Sequence, residues 1–100
     1  MDATRRKLVI IVCEAGLEES VADEVMRLGA HGYTVSDARG SGARGRREAT
    51  WPASGNIRME VVCDEQAARA IATRLQTGYF ENYAMVLYVA DVEVLRANKF

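Results

Sequence analysis

Short apolar runs and helical stripes alternate along this chain. Residues 7–13 form a continuous β-branched run that is too short for a helix, which predicts a strand buried on both faces. Apolar residues at Leu17, Val21, Val25 and Leu28 share one helical stripe, and glycines follow them. Residues 33–38 alternate as a second strand. The first half of the chain therefore predicts a strand, a helix and a strand.

The second half repeats that order. Residues 57–63 alternate cleanly and predict a third strand, and Asp64 is the expected N-cap of a second helix that ends near Gly78. Residues 84–90 form the last apolar run. Two strand–helix–strand units predict an α+β fold, a ferredoxin-like βαββαβ sandwich, with both helices on one sheet face. The other face needs a cover, so we expect a closed homo-oligomer.

Residues 40–55 interrupt this pattern between the second and third strands. Three glycines between positions 40 and 45 predict no regular structure there, and long loops in small domains are usually functional or disordered. Residues 39–48 carry four arginines and one glutamate, a net charge of +3 in a chain of net charge −1. Glycine N–H groups and arginine side chains together bind phosphate oxygens, which predicts an anionic ligand. The alternative interpretation, a flexible basic loop that binds no ligand, fits the composition equally well.

Composition narrows the classes of protein, location and partner that remain. One hundred residues with 49% hydrophobic and 27% charged side chains predict a single domain over residues 1–100. The sequence contains no apolar stretch of about 20 residues, and its basic start, whose apolar run ends at Glu14, is not expected to be a signal peptide. Cys13 and Cys63 lie in apolar runs, so a cytoplasmic location is expected. No metal site is expected from two separate cysteines and one histidine. Nucleic acid is not expected as a partner, because the central strands lack exposed aromatic residues.

Several segments resemble the PII-like signalling proteins, specifically the carboxysome-associated and SbtB-like branch. They are residues 32–35, 40–47, 56–60, 79–84 and 93–95. The resemblance implies a trimer with adenine nucleotides in the clefts between subunits, ADP or AMP first, with ATP and cyclic AMP as further candidates. It also implies bicarbonate as a second ligand, a T-loop at about residues 40–55 that docks a partner, and a membrane bicarbonate transporter as that partner.

The expected ligand-binding residues come from both arguments. The arginines and glycines of the basic segment are expected at the anion, and Arg58 is a second candidate anion contact. The resemblance implies that Thr34 and its neighbours line the nucleotide pocket, that Ser41, Gly42, Arg44 and Arg47 face the phosphates, and that the backbone at Met85 meets the adenine. The full set is Thr34, Val35, Ser36, Arg39, Gly40, Ser41, Gly42, Arg44, Gly45, Arg46, Arg47, Arg58 and Met85.

Two other functions remain open at this point. A small trimeric nucleotide hydrolase would use the arginines on the phosphates, but no acid pair or water-activating base accompanies them, so an enzyme is not predicted. A structural trimer without a ligand would use the same fold.

Overall fold

The computed structural model describes residues 2–42, 45–47 and 55–100. Its elements in chain order are β1 (Thr4–Glu14), α1 (Glu18–Arg27), β2 (Thr34–Ala38), β3 (Gly40–Gly42), β4 (Gly45–Arg47), β5 (Asn56–Cys63), α2 (Glu65–Gly78) and β6 (Val86–Val94). Short 3-10 turns at Ala15–Leu17 and Ala97–Lys99 precede α1 and follow β6.

Four strands form one antiparallel sheet in the order β2-β5-β1-β6. The two strands that follow a helix in the chain, β2 and β6, are the edges of the sheet, and β1 and β5 lie at its centre. This order and the two helices confirm the α+β, ferredoxin-like prediction.

Both helices cover one face of this sheet. Val9, Ile11 and Cys13 of β1 are fully buried under them, together with alternate residues of β5. Each helix contributes the apolar stripe that its spacing predicts, Val21 and Val25 from α1 and, from α2, Ala68, Ile71 and Leu75. Burying an aliphatic side chain of this size stabilises the fold by about 1.5–3 kcal/mol, so this layer provides most of the subunit's own stability.

The start of α2 follows its predicted cap. Asp64 has extended backbone geometry, and its Oδ1 accepts a hydrogen bond from the Ala67 N–H at 2.8 Å. The carboxylate thereby satisfies one of the backbone donors that a helix leaves open at its N-terminus. Farther along, α2 is joined to α1 by an ion pair between Arg74 and Glu24.

The opposite side of the sheet, which we term the helix-free face, carries the even-numbered residues of β1, β5 and β6. Ile10 is buried there, whereas Val86 and Tyr88 are 47% and 45% exposed. Leu8, Val12 and Val62 are partly buried on the same face. No helix of the described residues packs on it, so a row of apolar side chains faces outward.

The basic segment differs from its prediction. Gly40–Gly42 and Gly45–Arg47 form two short antiparallel strands, with Gly40 opposite Arg47 and Gly42 opposite Gly45. The prediction that residues 40–47 hold no regular structure is therefore wrong. Glycine weakens strands through its conformational entropy, yet it adopts extended geometry without strain, and cross-strand hydrogen bonds with a neighbour in sequence offset that cost. Residues 43–44 and 48–54 of the predicted T-loop lie outside the described residues.

Two strands are longer than their apolar runs. β1 starts at Thr4 instead of residue 7, and β6 runs from Val86 to Val94 instead of over residues 84–90. The added parts pair with each other, with Arg5 opposite Glu93, and beside them Lys7, the first residue of the predicted strand, stands opposite Asp91. Lys7 Nζ donates to Asp91 Oδ1 at 2.5 Å, and this hydrogen bond, with the charge of Lys7, lowers the pKa of the Asp91 carboxyl. Opposite charges across the ladder thus extend both strands beyond their apolar parts.

Candidate functional site

An open groove of about 720 Å³ lies at one end of the helix-free face. Its floor comes from alternate residues of neighbouring strands, because Thr34 of β2 stands directly opposite Glu60 of β5 and Val62 follows two positions along β5. Val94, at the end of β6, closes the floor on the other side. The antiparallel register brings the start of β2 and the ends of β5 and β6 to the same end of the sheet.

The walls of the groove come from segments that flank the edge strands. Gly32 and Tyr33 precede β2, and the C-terminal residues follow β6. The 3-10 turn Ala97–Lys99 folds this terminal segment tightly, with the Lys99 N–H donating to the Arg96 carbonyl at 3.0 Å. The wall residues from that segment are Leu95, Arg96, Lys99 and Phe100.

The lining combines apolar surface with two cations. Val62, Val94, Leu95 and Phe100 offer hydrocarbon and an aromatic ring, whereas Arg96 and Lys99 are exposed cations. A ligand that carries both an apolar ring and negative charge matches this combination.

Glu60 brings a side-chain carboxylate to the groove lining, and it has a cation beside it. Arg58 Nε lies 3.5 Å from Glu60 Oε2, and Arg58 Nη1 donates to the Tyr88 hydroxyl at 3.0 Å. The hydrogen bond to Tyr88 raises the pKa of the Arg58 guanidinium above its ordinary value, with a smaller contribution from Glu60. Arg58 therefore stays charged and offsets the negative charge at the groove floor.

Two smaller hollows lie beside α1, at about 400 and 480 Å³. Carboxylates line both of them, including Glu19 and Asp23 in each. An anionic ligand would be repelled there, so of these three cavities among the described residues the groove is the one that suits a phosphate-bearing molecule. In the ranges 2–42, 45–47 and 55–100, no cluster of three or more His, Cys, Asp or Glu side chains could hold a metal ion. Over the same residues, no helix is both long enough and apolar enough to cross a membrane.

The structure separates the predicted site residues into two groups. Thr34 lies in the groove, and the loop-side residues lie at the opposite end of the sheet, because β2 runs from Thr34 to Ala38 and spans about 13 Å. Arg39 and Gly40 are exposed just beyond Ala38. Ser41, Gly42, Gly45, Arg46 and Arg47 form the backbone of the β3–β4 hairpin, and Arg44 lies outside the described residues.

The other predicted residues occupy three surroundings. Val35 points to the core side, opposite the fully buried Met59, and Ser36 stands opposite Arg58 on the helix-free face. Arg58 contacts Glu60 and Tyr88, as described above. Met85 is 7% exposed and packs in the core just before β6, at the loop end of the sheet. One chain therefore brings Thr34 to the groove but does not bring the basic hairpin or Met85 to it.

Most of the groove was not predicted from the sequence. The groove residues outside the predicted set of ligand-binding residues include Tyr33, Glu60, Val62 and the cations Arg96 and Lys99. The two cations, three positions apart directly after the last strand, are the signal that was available in the sequence. The positions of Glu60 and Val62 beside Thr34 depend on strand register, which the sequence alone does not define.

Comparison with known proteins identifies the family. Residues 6–99 match the model of the nitrogen regulatory protein P-II family. The chain belongs to this family. It is thus a PII-like signalling protein, and the architecture described above is the PII ferredoxin-like fold.

Solved structures of this family superpose closely on the chain. A Thermus thermophilus protein described as PII-like and signalling is 47% identical, with a TM-score of 0.86 over 100% of this chain and 99% of that one. CPII, a nitrogen regulatory PII-like protein from Thiomonas intermedia, is 25% identical, with a TM-score of 0.91 over 99% of this chain and 96% of CPII. That CPII structure holds ADP, AMP and bicarbonate.

A second CPII structure, with ADP and bicarbonate, superposes on the chain about as closely. It is 26% identical to this chain, with a TM-score of 0.89 over 99% of this chain and 97% of CPII.

Proposed function

We propose that this PII-like protein senses adenine nucleotides, ADP or AMP first, through the groove at the end of the helix-free face. The observation that carries the proposal is the joint lining of apolar side chains with Arg96 and Lys99. An apolar wall accepts a base, and exposed cations accept phosphate oxygens. The ADP and AMP bound by CPII, a structural neighbour over nearly its whole length, support the same ligand class.

The proposed assembly is a homotrimer whose clefts join the two ends of neighbouring subunits. The groove and the basic hairpin lie at opposite ends of one sheet, about 13 Å apart along β2, and in the proposed trimer the groove of one subunit meets the basic hairpin of its neighbour. A neighbouring subunit that covers the exposed Val86 and Tyr88 of the helix-free face would supply the missing half. Sedimentation equilibrium is expected to give about 33 kDa, three times the 11.0 kDa of one chain.

Signalling would then be a population shift of the T-loop. A nucleotide that contacts Arg44 and Arg47 would bind one of two loop states better than the other, and the loop would then present or hide a docking surface. If the nucleotide's binding free energy differs by about 2 kcal/mol between the two loop states, binding changes the ratio of those states about thirtyfold, which is sufficient for a switch.

Within the PII-like proteins, we propose that this protein belongs to the carboxysome-associated, SbtB-like branch. It would bind bicarbonate as a second ligand. The trimer would be cytoplasmic, and its docking partner would be a membrane bicarbonate transporter. The bicarbonate in both CPII structures supports the second ligand. Signalling without catalysis is part of the same proposal.

Isothermal titration with AMP, ADP, ATP and cyclic AMP, each with and without bicarbonate, tests this function. Tight binding of one nucleotide whose affinity changes with bicarbonate is the expected result. Absence of binding to all four would reject the sensor and leave a structural trimer. Release of phosphate over hours in the presence of Mg²⁺ would instead indicate a nucleotide hydrolase.

A further inference from the structure

Large apolar side chains are exposed at six of the described positions. They are Met26, Tyr33, Val86, Tyr88, Val89 and Leu95, each at least 43% exposed. Val86 and Tyr88 belong to the helix-free face, where a neighbouring subunit would cover them. Tyr33 and Leu95 both line the groove instead. Exposed apolar groups that meet in one concavity are typical of a ligand site.

These two side chains reach the groove from opposite edges of the sheet. Tyr33 immediately precedes the edge strand β2, and Leu95 immediately follows the other edge strand, β6. Tyr33 is 43% exposed and Leu95 is 64% exposed, so both have surface left for a ligand. The two cations of the groove lie beside Leu95, in the same C-terminal segment.

Tyr33 also borders the first acidic hollow beside α1, with Glu18, Glu19 and Asp23 on its far side. A phosphate is repelled on that side by three carboxylates and attracted on the groove side by Arg96 and Lys99. A bound nucleotide would therefore approach the tyrosine from the groove.

We propose that Tyr33 is the residue that recognises the base, by stacking its ring on the heteroaromatic ring of the nucleotide while Arg96 and Lys99 hold the phosphates. This inference rests on the proposed function of the groove. Stacking on an aromatic side chain tolerates every base, because each base has a π-face. Tyr33 thus distinguishes base-bearing ligands from phosphate alone, and it contributes equally to ADP and GDP.

Titrations of three variants with ADP, GDP and pyrophosphate test this role. Tyr33→Ala is expected to lower the affinity for ADP and for GDP about tenfold each, which is the size of the effect of losing a base–aromatic stack. Tyr33→Phe keeps the ring and is expected to bind both nucleotides within about twofold of the unaltered protein, since stacking requires no hydroxyl. Pyrophosphate, measured by competition against ADP, has no base and is expected to bind Tyr33→Ala unchanged.

Met26→Ala is the matched control. Met26 is 44% exposed, almost the same as Tyr33, but it lies on α1 outside the groove, so its loss is expected to leave all three ligands unaffected.

Three results would overturn the inference. Unchanged ADP affinity in Tyr33→Ala would show that the ring does not touch the base. An equal loss of pyrophosphate and ADP would show that Tyr33 acts on the fold or on the phosphates. A loss in Tyr33→Phe as large as in Tyr33→Ala would assign the effect to the hydroxyl. If the unaltered protein binds no nucleotide, the proposed function fails as well, and that result is visible before any variant is made.

Discussion

Replacing Arg96 by glutamine removes one of the two cations of the groove while keeping a long polar side chain. The size of the effect follows from exposure. Two unit charges about 4 Å apart attract by about 1 kcal/mol in water and about 4 kcal/mol at an effective dielectric constant of 20. Because Arg96 is exposed, its attraction for a phosphate lies in the lower part of this range, about 1–2 kcal/mol. We therefore expect ADP to bind Arg96→Gln about 5- to 30-fold more weakly.

The assay is calorimetric titration with ADP at low and at high NaCl concentration. Salt screens exposed charges, so the unaltered protein is expected to lose more ADP affinity with added salt than Arg96→Gln does. Arg69→Gln is the control, since Arg69 is exposed on α2 across the sheet from the groove, and its ion pair with Glu65 spans 3.7 Å. Unchanged ADP affinity in Arg96→Gln, or an equal loss in Arg69→Gln, would refute the placement of phosphates beside the C-terminal segment.

Three further predictions concern the loop, the cap of α2 and a buried thiol. Arg44→Ala is expected to lower the affinity for phosphate-bearing ligands and to leave the trimer intact. Unchanged nucleotide affinity by calorimetry would show that Arg44 is not part of the site. Asp64→Ala loses the 2.8 Å bond to the Ala67 N–H and is expected to lower the free energy of unfolding in urea by about 1 kcal/mol, whereas Asp64→Asn retains most of the cap; equal losses would contradict the capping role. Burial, with a smaller effect of Asp64, raises the pKa of the Cys63 thiol to about 11. The unfolded thiol ionises first, near its ordinary pKa of about 9, so the stability that Cys63 contributes is complete below pH 9 and is lost as pH rises to about 11. Urea unfolding measured between pH 9 and 11 should show that the free energy of unfolding falls less steeply with pH in Cys63→Ala than in the unaltered protein. Equal slopes in the two proteins would contradict the role of the buried thiol.

The element order could be predicted because apolar periodicity and core position agree in this chain. The stripe of Val21 and Val25 in α1 and that of Ile71 and Leu75 in α2 are buried as their spacing predicts. The ends of β1 and β6 could not be predicted from the same signal. Their polar residues are held by pairing, as in Lys7 with Asp91, and the partner of an edge strand lies far away in the sequence.

The candidate site was predicted less completely, for a related reason. Thr34 was identified by resemblance, but Glu60 and Val62 become its neighbours only through the register of β2 on β5. The glycine-rich segment predicts anion binding by its composition, and nothing in that composition reveals that it lies at the other end of the sheet from Arg96. That separation is a property of the fold, and it is the reason that we propose a neighbouring subunit as part of the site.

A crystal structure of the protein with ADP would decide whether the groove and the basic hairpin of two subunits form one nucleotide site. We expect a trimer with ADP in each cleft, the base against Tyr33 and the phosphates at Arg96 and Lys99 of one subunit. We also expect the basic hairpin of the neighbouring subunit to close the cleft. ADP bound away from the groove, or bound by one subunit alone with the helix-free face open to solvent, would show that the proposed site is wrong.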